Sequence, residues 1–233
     1  MTETKRLIES TLVDHSQKLK LPALFGLFQD IATADAEQIG FGHANTTDQG
    51  KLWVFTRVYV EIPEYPPYLS VSNFFTYPGN RKVFAFPRHL KVTSQYGKVQ
   101  ARISSIWALI DAASRKLIFK PDLPEVEGHQ EEGELPLPGK VVPTTASFAY
   151  SRRIRHSDID INGHLNNTRY IEMIVDLHDE AFYQHKEIAS LLINFETESS
   201  EGETIEIYAN EDGTYVYGKC DDRLCFEANL TYR

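Results

Sequence analysis

The segment 156–172 concentrates side chains that can take up and release protons. Within it Asp160, Asn162 and His164 supply a carboxylate, an amide and an imidazole at every second position. In an extended chain, residues two apart point to the same side, so this spacing predicts that the three side chains converge on one spot. The segment is therefore expected to carry an acid/base cluster along one side.

A helix is predicted to begin just after this cluster. Asn166, Asn167 and Thr168 are residue types that favour helix N-termini. Apolar residues then recur at helical spacing, namely Tyr170, Ile171, Ile174, Val175 and Leu177. The free N–H groups of a first helical turn, at the positive end of the helix dipole, can hold an oxygen that becomes negative during acyl transfer. This combination suits hydrolysis of an ester or thioester, with Asn166 and Asn167 as candidate substrate-binding residues.

Two other interpretations of the segment remain open. Asn-Gly is a common turn dipeptide, and Asp and Asn favour turns and helix caps for purely structural reasons. His156, Asp158, Asp160 and His164 are also potential metal ligands. The chain has no HExxH-type helical pair and only two cysteines, so the metal interpretation is the weaker one and no metal site is expected.

The run DIDINGHLNNTRYI, residues 158–171, resembles the signature of the acyl-ACP thioesterases, which cut fatty acyl chains from acyl carrier protein (ACP). Residues 28–32, 53–57 and 105–111 resemble segments of the family's first half in the same order. The resemblance implies an α+β double hot-dog fold, with two tandem units that each wrap a curved antiparallel sheet around a long helix. It also implies a cofactor-free hydrolase of fatty acyl-ACP in fatty acid biosynthesis.

The resemblance also assigns catalytic residues. Asp160, Asn162 and His164 match the family's catalytic Asp-x-Asn-x-His. A further catalytic acid follows an aromatic and two usually basic residues in a later strand, and the matching stretch FETES, residues 195–199, gives that role to Glu198. The basic pair is replaced by Glu and Thr, and Ser stands where Cys is common, so a thiol nucleophile finds no support. The structural alternative for Glu198 is an exposed charge on a strand.

The expected roles follow from the chemistry of each group. Asp160 is the preferred activating carboxylate, as a general base on water or as a direct nucleophile. His164 and Glu198 position the water and transfer protons, while Asn162 and helix N–H groups polarise the thioester carbonyl. The alternatives are an acyl-CoA thioesterase or another hot-dog enzyme such as a hydratase, and a non-enzymatic acyl-carrier or lipid-binding module.

Charge and composition restrict the partners. A formal net charge of -9 argues against nucleic acid. Four arginines flank the candidate site and are candidates for binding the acidic carrier protein, namely Arg152, Arg153, Arg155 and Arg169. No apolar run approaches the ~20 residues that span a bilayer, and the N-terminus lacks the apolar core of a signal peptide, so a cytoplasmic protein without a membrane partner is expected. A homodimer remains open.

The element order indicates a diverged repeat of one helix followed by strands. Residues 1–120 are expected to form the N-terminal unit and residues 146–233 the C-terminal, catalytic unit. Strands are predicted near residues 52–62, 69–77, 82–92, 99–110, 191–198, 204–209, 215–220 and 224–231. The stretch 15–22 aligns with the start of the candidate site but does not offer the triplet of carboxylate, amide and imidazole, so one active site per chain is predicted.

A proline-rich segment separates the two halves. Residues 121–145 contain five prolines and an acidic middle with Glu131, Glu132 and Glu134. Neither a regular helix nor a central strand tolerates such proline spacing, so an extended surface linker is predicted. The resemblance assigns the acyl pocket to the first unit, where the candidate lining residues are Leu24, Phe28, Trp53 and Phe55.

Overall fold

The computed structural model of the chain describes residues 1–131 and 133–233, which divide into two compact units, Met1–Pro138 and Gly139–Arg233. Its helices and strands, in chain order, are β1 (Thr2–Leu7), α1 (Leu21–Gln38), β2 (Lys51–Glu61), β3 (Val71–Pro78), β4 (Phe86–Ser94), β5 (Val99–Asp111), β6 (Ser147–Arg153), α2 (Asn167–Val175), α3 (Glu180–Tyr183), β7 (Ile188–Phe195), β8 (Thr204–Ala209), β9 (Tyr215–Cys220) and β10 (Arg223–Tyr232). Within this part of the chain, no helix combines the length and apolarity that crossing a bilayer requires.

The first unit packs α1 on an antiparallel sheet with the strand order β1-β3-β4-β5-β2. A proline in the first turn suits the start of α1. The backbone N–H groups of a first turn have no carbonyl acceptor within the helix, so the missing N–H of proline costs no hydrogen bond there. The buried face of the helix also carries Asp35, whose carboxylate accepts a 2.6 Å hydrogen bond from Arg88 of β4. Both side chains are almost fully buried, so each compensates for the desolvation of the other.

The candidate acyl-pocket residues lie in the core of the first unit. Leu24, Phe28 and Phe55 are no more than 6% exposed, and the Phe28 and Phe55 rings are 5.9 Å apart. The Trp53 indole N–H donates to the Phe41 carbonyl at 2.8 Å. These contacts are those of core packing, and a role in holding an acyl chain stays a prediction.

The second unit repeats the plan with the strand order β7-β10-β9-β8-β6, again antiparallel throughout. On the buried face of α2, the Tyr170 ring lies 5.8 Å from Phe195 and 5.3 Å from Phe226. This helix has nine residues, half the length of α1, which has 18. The chain turns at Asp176 and restarts as α3, whose first turn is capped by the Asp179 carboxylate.

The proline-rich segment contains no helix or strand among its described residues, as predicted. It is not wholly a surface linker, however, because Leu123 and Leu135 are only 8% exposed. Glu131 forms a 3.0 Å ion pair with Lys91 of β4. The segment therefore covers part of the first unit up to Pro138, the end of that unit. Glu132, part of the predicted acidic middle, lies outside the described residues.

Candidate active site

The segment that carries Asp160, Asn162 and His164 is a tight turn, so the predicted extended conformation is wrong. The Asp160 N–H donates to the His164 carbonyl at 2.8 Å, and the Gly163 N–H donates to the Asp160 carbonyl at 3.1 Å. Gly163 has φ +81°, a conformation that glycine adopts without strain. The turn forms because one Asp160 carboxylate oxygen accepts the N–H groups of Asn162 and His164, at 2.8 and 3.4 Å.

This turn and the loop after β7 bring His164 and Glu198 together. The His164 Nε2 lies 3.6 Å from the Glu198 Oε2, and the two side chains are 28% and 41% exposed. A 2.8 Å hydrogen bond from the Leu165 N–H to the Ser199 carbonyl connects the residues that follow each of them. Because neighbouring backbone groups are bonded directly, the imidazole and the carboxylate are held at short range.

Glu198 does not lie on a strand, contrary to the prediction, since β7 ends at Phe195. The N–H groups of Glu196 and Thr197 both donate to the Cys225 carbonyl, at 2.9 and 3.3 Å, and the chain then leaves the sheet. The Glu198 carbonyl accepts a 3.1 Å hydrogen bond from the Arg223 guanidinium. The alternative interpretation of Glu198 as an exposed charge on a strand is wrong about the strand, although the side chain is exposed.

The two ring nitrogens of His164 have different surroundings. Its Nδ1 is enclosed and has no hydrogen-bond partner among the described residues, whereas Nε2 faces the Glu198 carboxylate. Nε2 is therefore the nitrogen at which His164 can exchange a proton with a bound water or substrate.

Asn162 occupies the tip of the turn. Its side chain is exposed and has no hydrogen-bond partner within residues 1–131 and 133–233. Ile161, beside it, is 94% exposed. Of the four predicted catalytic side chains, His164 and Glu198 face each other, Asp160 holds the turn, and Asn162 projects from it.

The second helix begins at Asn167, as the sequence predicts. The Asn166 side-chain oxygen accepts the Thr168 N–H at 2.9 Å, and the Asn166 carbonyl accepts the Arg169 N–H at 2.9 Å. The N–H groups of Thr168 and Arg169 therefore already donate hydrogen bonds to the capping residue Asn166. The Asn167 N–H has no acceptor within the described chain, so it is available to bind an oxyanion.

Asp158 connects two of the four arginines that flank the site. Its nearly buried carboxylate accepts a 2.7 Å hydrogen bond from Arg152, and it lies 3.5 Å from the Arg169 Nε. Glu172 contacts the same two guanidinium groups, at 3.4 and 2.6 Å. The resulting network joins β6, the stretch just before the site turn, and α2, a structural role that sequence patterns did not indicate.

The other two arginines differ from this pair. Arg153 and Arg155 have exposed side chains and no ion pair in the part of the chain that the structure describes. They are free to meet an acidic partner. The predicted patch of four arginines is thus reduced to two available charges.

The potential metal ligands do not converge. His156 projects into solvent, where its Nδ1 lies 3.4 Å from Glu201, while Asp158 faces the arginines. Among residues 1–131 and 133–233 there is no group of three or more His, Cys, Asp or Glu side chains that could hold a metal ion.

Ser199, next to Glu198, is fully buried and cannot meet a substrate. Its hydroxyl accepts a 3.1 Å hydrogen bond from Tyr170 and lies 3.7 Å from the Cys220 thiol. Burial raises the pKa of Cys220 to about 12, so this thiol is unreactive near neutral pH. The three side chains form a buried polar cluster beneath Glu198, which sequence patterns did not reveal beyond the helical spacing of Tyr170.

Comparison with known proteins assigns both halves of the chain. Residues 1–122 match the model of the acyl-ACP thioesterase N-terminal domain, and residues 142–228 match that of the C-terminal domain. Among curated relatives, oleoyl-acyl carrier protein thioesterase 1 of Arabidopsis thaliana is 24% identical over 87% of this chain and 61% of its own length. Dodecanoyl-[acyl-carrier-protein] hydrolase of Cinnamomum camphora is 24% identical over 82% of this chain and 54% of its own length. The chain thus spans little more than half of these curated relatives.

Solved structures share the fold over the whole chain. An acyl-ACP thioesterase from Bacteroides thetaiotaomicron superposes with a TM-score of 0.86 at 24% identity, covering 100% of this chain and 97% of the other. The 12:0-ACP thioesterase from Umbellularia californica gives a TM-score of 0.83 at 17% identity, covering 100% and 93%. The α+β double hot-dog prediction is confirmed by these likenesses. With both family models matched in order along its length, the chain belongs to the acyl-ACP thioesterase family.

Proposed function

We propose that this protein hydrolyses fatty acyl-ACP thioesters with water and without a cofactor, releasing a free fatty acid and ACP. The observation that carries the proposal is the facing pair of His164 and Glu198, 3.6 Å apart, beside the N-terminus of α2. An imidazole and a carboxylate at this range can pass a proton between them through a bound water. Family membership and the names of the relatives supply the substrate class.

In the proposed reaction, a water molecule lies against the Glu198 carboxylate and the His164 Nε2. The carboxylate takes a proton as the water oxygen attacks the thioester carbonyl, and the carbonyl oxygen becomes negative. The Asn167 N–H is the available helix donor for that oxygen. Glu198 passes this proton to the His164 Nε2, and when the C–S bond breaks the leaving sulfur takes it from His164. The products are a fatty acid and the ACP thiol, and both side chains return to their starting protonation states.

Asp160 is proposed to combine a structural and a catalytic role. One of its carboxylate oxygens is occupied by two backbone N–H groups of the turn. Its other oxygen provides the alternative to the Glu198 route: Asp160 would itself be the general base on water, or would attack the carbonyl directly to give a mixed anhydride that water then opens. Asn162, exposed at the tip of the same turn, is proposed to orient the thioester once it is bound.

The remaining assignments rest on position and charge. Arg153 and Arg155 are proposed to receive acidic ACP, because their charges are available near the site. The residues proposed to border the acyl chain in the first unit are Leu24, Phe28, Trp53 and Phe55. A homodimer and a cytoplasmic location stay predictions.

The test is thiol release from a chain-length series of acyl-ACP, with the matching acyl-CoA series in parallel. Asp160→Asn keeps the oxygen that accepts the turn N–H groups but removes the negative charge. Turnover should therefore fall about 10²-fold to 10⁴-fold while the melting temperature holds. Asp179→Asn is the matched control: it removes a helix-capping carboxylate elsewhere in this unit, and Asn caps equally well.

Each outcome decides between the candidate functions. Acyl-ACP turnover that depends on Asp160 but not on Asp179 supports the proposal. Turnover confined to acyl-CoA would favour the acyl-CoA thioesterase instead. Tight acyl-ACP binding without thiol release would identify a non-enzymatic carrier or lipid-binding module.

A further inference from the structure

Two neighbouring loops of the first unit expose apolar side chains. The β3–β4 loop carries Val83 and Phe84, which are 55% and 48% exposed, and the segment after β5 carries Leu117 and Phe119, which are 43% and 65% exposed. The two phenylalanine rings meet edge to face with their centres 5.9 Å apart. These four side chains are called the loop-tip patch below.

Hydrogen bonds fix the two loops against each other. The Lys120 N–H donates to the Val83 carbonyl at 3.3 Å, and the Arg81 guanidinium donates to the Pro121 carbonyl at 3.0 Å. The same guanidinium lies over the Phe86 ring, 4.9 Å from its centre. The loop-tip patch is therefore presented by a defined backbone, and its four side chains stay exposed among the described residues.

Basic side chains surround the loop-tip patch. Lys82, Lys116 and Lys120 are exposed and have no carboxylate partner in residues 1–131 and 133–233. Of the three acidic residues within five positions of these lysines, Asp111 already accepts two hydrogen bonds within its own turn, and Asp122 and Glu125 are exposed. In a chain with a formal net charge of -9, this concentration of unpaired positive charge around exposed aromatic rings points to an anionic partner.

We propose that the loop-tip patch docks on an anionic lipid surface. Apolar side chains at loop tips insert at the boundary between headgroups and acyl chains, and surrounding lysines contact anionic headgroups. Such docking needs no membrane-spanning segment. It would place an enzyme of fatty acyl chains beside lipids, which departs from the expectation of no membrane partner.

Two other occupants fit the patch less well. A symmetric contact with a second copy would set Lys82, Lys116 and Lys120 against their own counterparts, and like charges across an interface repel. An acidic protein would pair with the lysines, but it would need a cavity shaped for the projecting Phe84 and Phe119. A bilayer interface accepts projecting apolar groups of any shape.

Vesicle sedimentation tests the proposal. The full chain should sediment with vesicles of phosphatidylglycerol and phosphatidylcholine but not with phosphatidylcholine alone, and added NaCl should release it. Lys82→Gln with Lys120→Gln should weaken partitioning by about fivefold for each charge removed. Phe84→Ser with Phe119→Ser should weaken it about tenfold or more, because both rings lose their apolar environment.

Matched controls come from the β4–β5 turn of the same unit. Tyr96→Ser removes a single aromatic ring that is 87% exposed, and Lys98→Gln removes a lysine that is ion-paired with Glu64. Both should leave partitioning unchanged, and circular dichroism should report folded protein for every variant. The lysine variants keep the test decisive if the serine variants unfold.

Three outcomes would overturn the proposal. One is failure of the folded wild-type chain to sediment with anionic vesicles. Another is equal loss of sedimentation in the patch and control variants. The third is that the patch variants abolish self-association, or binding of an acidic carrier protein, while vesicle binding is unchanged.

Discussion

Glu198→Gln should separate a catalytic carboxylate from a structural one. Gln has nearly the same shape and can still accept a hydrogen bond, but it cannot take up a proton. If Glu198 is the base for the attacking water, kcat for acyl-ACP should fall about 10²-fold to 10⁴-fold. The Michaelis constant should change much less, because the side chain is not proposed to bind the substrate.

The stability of the fold should hardly respond. The His164–Glu198 pair is 3.6 Å apart, with side chains 28% and 41% exposed, so solvent screens it. Partly exposed pairs of this kind contribute about 0–1 kcal/mol to the free energy of unfolding. The loop itself is held by backbone groups, including the Leu165–Ser199 hydrogen bond, which the substitution does not touch. The expected signature is a large loss of rate with a small shift in the denaturation midpoint.

The same loop contains a matched control. Glu201 faces His156 at 3.4 Å, and those side chains are 57% and 91% exposed. Glu201→Gln therefore removes a carboxylate of another His–Glu pair three residues away. It should leave kcat at the wild-type value in the thiol-release assay. A folded Glu198→Gln protein with near wild-type kcat, or an equal loss in Glu201→Gln, would refute the reasoning.

Three further predictions concern the surroundings of the site. Ser199→Ala should leave turnover largely intact. It should lower the free energy of unfolding by about 1–3 kcal/mol in urea titrations, because the buried Tyr170 hydroxyl loses its acceptor. An inactive but folded variant would contradict this. Asp158→Ala should lower the free energy of unfolding by about 3 kcal/mol, since two guanidinium groups lose a nearly buried carboxylate; a shift near zero would show that the network is dispensable. Burial raises the pKa of Tyr232 to about 12 and that of Tyr150 above its ordinary value, so the folded state favours neutral phenols. Stability should be fully present below pH ~10 and lost as pH rises toward the folded pKa, with phenolate absorbance tracking unfolding; an unchanged urea midpoint over that range would contradict it.

The eight predicted strands are all present, because each carries a run of apolar or alternating residues bounded by turn residues. The sequence analysis did not predict β1, an edge strand in the first unit, or β6, an edge strand in the second unit. Thr2–Leu7 and Ser147–Arg153 are mostly polar and exposed, so hydrophobic patterning does not distinguish them from loops. Their strand conformation comes from pairing with β3 and β8, a tertiary contact that no local pattern contains.

The lengths of the helices also depend on contacts that local sequence patterns do not contain. The 18 residues of α1 follow from its long apolar face and its N-terminal proline. The second helix begins where the capping residues predicted, but its end depends on competition with the Asp179 cap of α3. Sequence signals locate the starts of these helices better than their ends, because N-caps are local and helix ends depend on packing.

At the site, residue identity was a better guide than residue spacing. The alternation of Asp160, Asn162 and His164 predicted an extended segment with one reactive side, yet the same residues form a turn in which Asp160 binds the backbone of the other two. In such a stretch, the every-second-residue spacing favours an extended chain, whereas Asp, Asn and Gly favour a turn. Here the Asn-Gly dipeptide decides, because glycine takes the left-handed conformation that closes the turn.

The turn geometry explains how an exposed loop can hold an acid/base pair. His164 and Glu198 both lie outside regular secondary structure, where side chains are usually mobile. The backbone beside each is nonetheless bonded: Leu165 to Ser199, Glu198 to Arg223, and the turn to the Asp160 carboxylate. Precise placement here comes from these backbone bonds, which leave Glu198 partly exposed to water. A carboxylate fixed at its backbone yet open at its tip can both meet an incoming thioester and transfer a proton. Buried Ser199, one residue further on, can do neither.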